Sequence, residues 1–199
     1  MSTVASTRSW RESVLSQVER PLVRRLVVVR HAKSAYPDGV ADHDRPLAPR
    51  GVVDAQAVGR WLLEHVGNPD HVLVSTARRA RGTWTLAAGQ LGYIGAAGYD
   101  AESSGPLTID PRIYEAEPQT LVGIVRELPD RVGTVVLVGH NPGCESVVQQ
   151  LAGERDADAA ALLAVKFPTA GIAVLEISTP WAELRSGTAR LTAFAAPRG

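Results

Sequence analysis

Cysteine is nearly absent from this chain of 199 residues, where Cys144 is the sole example. No intrachain disulfide is therefore possible, and a reducing interior suits such a sequence. Lysine is almost as scarce. Lys33 and Lys166 stand alone, so nearly all of the positive charge is arginine. Neither sign dominates, since 21 basic residues meet 21 acidic ones. A balanced chain has no global field to draw in nucleic acid or an anionic membrane, and any anion site must be local. Long apolar runs are missing too, which argues against a transmembrane helix. The first twenty residues lack the apolar core of a signal peptide. The expectation is a cytoplasmic protein with neither nucleic-acid nor membrane partners.

What remains is ordinary for a globular chain, with 45% apolar and 21% charged residues. The length suits one domain of good size. Residues 1–22 read as an appendage to a domain spanning 23–199. Ser9 to Glu12 fits a capping box, and Trp10, Val14 and Val18 recur every four residues before Pro21 stops the run. A short amphipathic helix is expected there.

An alternation follows. Leu26–Val29, Val72–Val74 and Thr134–Val138 are compact β-branched runs, and Ile172–Ile177 and Leu191–Phe194 add two more strands. Helical spacing covers Val52–His65, Ala77–Leu91, Leu121–Leu128 and Glu145–Leu151, the last expected to close at Gly153. Gly92–Pro111 is rich in Gly and Ser and reads as a long loop. Such an alternation predicts an α/β fold, a three-layer sandwich with a mostly parallel central sheet flanked by helices.

Three of these strands end in the same kind of residue. LVVV runs into Arg30 and His31, HVLVS into the cluster Arg78, Arg79 and Arg81, and TVVLV into Gly139 and His140. Sites in open α/β sheets form outside the carboxyl ends of the strands, so parallel neighbours would bring these groups to one rim. The polar pair ending the first strand would then face a cleft instead of being buried.

Arginine offers a planar fork of donors that matches phosphate oxygens and stays charged. A neutral histidine is a nucleophile toward phosphorus, and a second, protonated one would hold the equatorial oxygens. The set points to phosphoryl chemistry. A metal site is not expected, because no close histidine pair has ligand spacing and the acids are scattered. No cofactor is implied, and the glycine-rich nucleotide motifs are absent.

The stretches VVVRHAKS, DRPLAPRG, VLVSTARRARGT and VVLVGHNPG resemble the histidine phosphatase superfamily. They are closest in kind to the small SixA-type phosphohistidine phosphatases, and the likeness runs from about Leu22 through IYEA at Ile113–Ala116 to the C-terminus. The resemblance implies a phosphoglycerate-mutase-like fold and a phosphorylated substrate, with phosphohistidine in a protein as the first expectation. It implies His31 as the nucleophile, Arg30 and Arg79 as clamps on the phosphoryl oxygens, and His140 completing the pocket. Arg79 is preferred to Arg78 and Arg81 because it precedes Ala80 and lies four residues before Thr83, as the family's second arginine does. Ala32 departs from the glycine that many members carry after the histidine, which bears on the subfamily and not on the chemistry.

Other positions keep two readings. Arg45 reaches the phosphate or pairs with Asp42 or Asp44 and fixes the loop. Lys33, Ser34 and Asn141 hold the substrate or stand in solvated loop. Glu115 protonates a leaving group or is a surface carboxylate. The plain alternative for Arg30 and His31 is a salt bridge to the acidic loop Asp42–Asp44, and for His140 a backbone bond at the Asn141-Pro142-Gly143 turn. Cys144 reads as a small residue in the first turn of a helix, not a nucleophile. Competing functions are a small-molecule phosphomonoesterase or mutase, and a phospho-ligand-binding module without turnover. No arginine or lysine falls between Gly92 and Pro111 to hold a bisphosphate, and pure binding needs no nucleophile.

Overall fold

The computed structural model describes residues 23–92 and 107–199. The amphipathic stretch expected around Trp10–Val18 lies outside the described residues, as does most of the Gly92–Pro111 segment. Seven strands form one sheet: β1 (Arg24–Arg30), β2 (His71–Ser75), β3 (Leu107–Asp110), β4 (Thr134–Gly139), β5 (Ala152–Arg155), β6 (Ile172–Ile177) and β7 (Ala189–Ala195). Their order across the sheet is β3-β2-β4-β1-β6-β7-β5. β1, β2, β3 and β4 run parallel, β6 runs against β1, and β7 and β5 return to the first direction. The central strands are buried on both faces. In β1, Leu26 and Val28 enter one core while Val27 and Val29 enter the other, and Val135, Leu137, Val136 and Val138 of β4 divide the same way. That is why these runs are continuously apolar.

Helices α1 (Pro49–His65) and α2 (Arg78–Gln90) cover one face. Helices α3 (Pro118–Arg126), α4 (Gly143–Leu151) and α5 (Ala157–Val165) cover the other, completing the three layers. Pro49 and Pro118 open their helices at a position where a missing N–H costs nothing. Among the described residues no helix is long and apolar enough to cross a membrane.

Two local expectations need correction, and two elements were not expected at all. Leu107–Asp110 is not loop but the edge strand β3, whose short LTID run is paired by β2 and carries too little pattern to be seen alone. Gly153 does not close α4, which ends at Leu151; it sits in β5, where a Cβ would strike the Gly187 carbonyl. β5 and α5 have no periodic signal, since AGER is mostly exposed and ADAAALLAV has no polar face. Asp156 caps α5 by accepting from the Asp158 and Ala159 N–H groups.

One close approach fixes the loop after β1. Gly51, in the first turn of α1, lies so near the Lys33 carbonyl that a Cβ there would overlap it, and the same carbonyl accepts the Ala48 N–H at 2.9 Å. Gly51→Ala is expected to lower stability by about 1–3 kcal/mol through overpacking. Gly123→Ala in α3 meets nothing within 4 Å and should instead add about 0.4–1 kcal/mol. Urea unfolding of the two variants measures both signs.

Candidate active site

The parallel neighbours β2, β4 and β1 end together, so His31, His140 and the first turn of α2 share one rim. The His31 and His140 ring centroids are 4.9 Å apart. Of the three arginines after β2, Arg78 and Arg81 are exposed and Arg79 turns inward, buried against His31.

His31 is fixed by a short local bond. Its Nδ1 lies 2.7 Å from the Ala32 carbonyl, which can only accept, so Nδ1 carries the proton. Nε2 is left with its lone pair, and the Arg79 Nε–H donates to it at 3.2 Å. The Ala32 N–H in turn donates to Thr83 Oγ1, and Thr83 donates to the Arg79 carbonyl, tying the strand end to α2. Arg30 donates to the Phe167 carbonyl at 2.7 Å, while its Nε is buried without a partner among the described residues. His140 meets Ser75 Oγ through Nε2 at 2.8 Å, and its buried Nδ1 has no partner there either. Ser75 Oγ accepts the Ala77 N–H and, as a hydroxyl, pairs with either neutral tautomer of His140.

Both histidines are more than nine-tenths shielded from solvent, contrary to the expectation of an open cleft. Burial pushes His31 down to about 4, with Arg79, Arg30 and Arg45 adding to the effect against the Ala32 bond. Burial likewise pushes His140 down to about 3, helped by His31 and Arg79. The expected protonated second histidine is therefore neutral here. A neutral ring is what makes such burial tolerable.

The remaining candidates divide. Arg45 pairs with Asp42 and donates to the Ala35 carbonyl and the Ser34 hydroxyl, with its guanidinium 3.4 Å from the Tyr36 ring centroid. These contacts fasten the loop after β1, and Ser34 is buried among them. Lys33 extends its ammonium over the Tyr36 ring at 5.5 Å. Asn141 donates to Glu145 and, at 3.3 Å, to the same Phe167 carbonyl that holds Arg30. Glu115 is exposed in a left-handed backbone conformation, φ 51°. Cys144 is fully buried and its thiol is pushed up to about 12, so it stays protonated.

Residues without a strong signature complete the rim. Asp42, the plain alternative partner for Arg30 and His31 and one reading's partner for Arg45, accepts from Arg45 as well as from Arg79 and the Tyr114 hydroxyl, and not from Arg30 or His31. Tyr114 sets its ring edge-on to His140 at 5.4 Å and to His43 at 5.0 Å, and His43 reaches Thr76 at 2.9 Å. Only the place of Asp42 in DHDRPL and of Tyr114 in IYEA hinted at them. Among the described residues no group of three or more His, Cys, Asp or Glu side chains is gathered for a metal ion. A separate cavity of about 330 Å³, lined in part by Val23, Glu154, Glu176 and Arg190, opens at the opposite edge of the sheet and contains no histidine.

Comparison with known proteins places the chain in a family. Residues 26–123 match the histidine phosphatase superfamily, branch 1. An uncharacterized protein of Mycobacterium tuberculosis is 42% identical over 172 residues, covering 85% of this chain and all of that protein. A solved Nakamurella multipartitia structure, which carries phosphohistidine phosphatase SixA as an assigned name, aligns at TM-score 0.69 and 28% identity over 88% of this chain and 96% of that one. Phosphoglycerate mutase of Plasmodium falciparum aligns at TM-score 0.56 and 14% identity over 89% and 93% of the two chains, a likeness of fold alone.

Imidazole resonances followed by NMR should show both rings neutral at pH 7, with His31 half charged near pH 4 and His140 near pH 3. The unfolded chain takes up these protons near pH 6.5, before the folded one does. Stability should therefore be intact above about pH 6.5 and fall progressively as the pH drops toward 4, which denaturation at a series of pH values measures.

Proposed function

The chain belongs to the histidine phosphatase superfamily, and on that premise we propose that it is a metal-independent phosphatase working through a phosphohistidine on His31. The observation that carries the reading is the Nδ1–H bond of His31 to the Ala32 carbonyl, which leaves Nε2 as the basic nitrogen of a neutral ring beside Arg79 and a second histidine. As the phosphoryl group enters, Arg79 Nε–H passes from Nε2 to a phosphoryl oxygen, the freed Nε2 lone pair attacks phosphorus in line, the P–N or P–O bond to the leaving group breaks, and the leaving group takes up a proton. Water then attacks the phosphohistidine, releasing phosphate and restoring His31. Arg30 and Arg79 neutralise the transferring oxygens, and His140, in its Nδ1–H tautomer, donates to one of them without needing a positive charge.

We read phosphohistidine in a protein as the preferred substrate. An imidazole leaving group is easily protonated from solvent, whereas an alkoxide needs an acid placed beside it. Exposed Glu115 is the proposed acid for ester substrates, and Lys33, Ser34 and Asn141 are proposed to line the substrate path. The likeness to the SixA-named structure supports this reading, and the single buried cysteine suits a cytoplasmic setting.

Rapid quenching with a ³²P-labelled substrate should trap label that is acid-labile and alkali-stable, as a phosphoramidate requires. His31→Ala should abolish both label and turnover. Arg79→Ala should retain weak activity, losing about 3–4 kcal/mol of transition-state stabilisation, as when one oxyanion donor is deleted. Label on another residue would refute the assignment.

Turnover is expected to persist in excess chelator, because the arginines and His140 supply the charge that Mg²⁺ supplies elsewhere. Loss on chelation with recovery on adding a divalent ion would contradict it. Glu115→Gln should slow an alkyl phosphate by about 10²-fold or more, within the usual range for a general acid, and leave a phosphohistidine peptide nearly unchanged. Equal slowing of both substrates would count against the preference.

A further inference from the structure

Asp42 has no role in the chemistry just proposed, yet three donors converge on it. Its Oδ2 accepts from Arg79 Nη2 and from the Tyr114 hydroxyl, both at 2.8 Å, and its Oδ1 accepts from Arg45 Nη1. Its backbone carbonyl accepts from Arg79 Nη1 as well. The two bonds to Arg79 therefore come from one residue, one through the main chain and one through the side chain. A guanidinium held at two points by a single residue has its plane defined, and its third bond, from Nε to His31 Nε2, is then defined too.

We propose, resting on the phosphatase reading above, that Asp42 is a positioning residue for the phosphoryl pocket. It grips Arg79 from its exposed side and holds the guanidinium beside His31, so that Nε–H covers Nε2 before the substrate arrives and turns to a phosphoryl oxygen when Nε2 attacks, with the remaining N–H groups free for the other oxygens. A guanidinium has five N–H donors, so the three engaged here leave two. Arginine is the longest and most mobile of the charged side chains, and the entropy of ordering it is met before the substrate arrives.

The same carboxylate reaches the second histidine. Tyr114, which donates to Asp42, packs its ring edge-on to His140. Asp42 leaves the loop after β1, Arg79 follows β2 and Tyr114 follows β3, so one anion fastens three rim segments. Asp42 itself is half exposed and remains ionised, held down to about 2 first by the Tyr114 bond and then by the two arginines, against the opposing effect of its burial.

The test is a double-mutant cycle on the full chain with an aryl phosphate and a phosphohistidine peptide. Asp42→Ala should lower kcat/KM about a hundredfold, chiefly in kcat, and Asp42→Asn about tenfold. In an Arg79→Ala background Asp42→Ala should cost almost nothing more, because its effect runs through Arg79. A purely structural role would give additive losses. In NMR the Arg79 Nε–H signal should be protected from exchange in the unmodified protein, lost in Asp42→Ala and kept in Asp42→Asn. That readout needs no turnover, so it separates failure of this proposal from failure of the phosphatase reading, which the His31 labelling decides. Additive losses, or an unchanged Arg79 signal, would overturn the proposal. So would tighter binding of inorganic phosphate by Asp42→Ala, which would make Asp42 a competitor for the clamp.

Discussion

A hydrogen bond between neighbouring residues governs the whole rim: His31 Nδ1–H to the Ala32 carbonyl. It decides which nitrogen is bare, and everything around that nitrogen is arranged accordingly. Arg79 donates to it, His140 lies beside it, and burial keeps the ring neutral. Were the proton on Nε2 instead, Arg79 and His31 would present donor to donor, and the Arg79 Nε–H would lose its partner. The bond is so local that it needs no long-range precision. What needs long-range precision is the shielding.

That shielding is costly in charge. Three guanidinium groups, those of Arg30, Arg45 and Arg79, stand near two rings that must not take up a proton. Their proximity helps, since each positive neighbour makes protonation harder. The arginines are held in turn by a carbonyl at Phe167 and by the Asp42 backbone and carboxylate, which leaves the cluster net positive with no anion placed directly on either histidine. A substrate phosphoryl group would add its charge where the compensation is thinnest, at the partnerless Arg30 Nε and His140 Nδ1.

Much of this was legible in the amino-acid order because the relevant signals are strong and local. Unbroken β-branched runs announce strands buried on both faces, and a polar pair directly after such a run marks a rim. The inward choice among Arg78, Arg79 and Arg81 followed from position in the motif and agrees with burial. What escaped has physical reasons. β3 and β5 are edge strands held by a neighbour's hydrogen bonds and not by their own apolar pattern. Helix α5 is alanine-rich without a polar face, so it has no periodicity to detect. Asp42 and Tyr114 are common residue types whose importance comes from meeting across 72 positions of sequence. The neutrality of His140 depends on how completely the surrounding loops close over it, which no linear pattern encodes.

The reversed direction of β6 has a consequence for how the protein comes into being. Because β6 runs against β1, it is the segment leading into it, Phe167 to Gly171, that arrives at the rim, and there the Phe167 carbonyl takes hold of Arg30. Ribosomal synthesis delivers Arg30 and His31 early and this carbonyl late. A nascent chain already carrying both rim arginines and the first histidine thus lacks the piece that anchors Arg30, and the second histidine emerges only shortly before it. Until that late segment is in place, the Arg30 guanidinium lacks the carbonyl that holds it, so the rim closes only when most of the polypeptide is present.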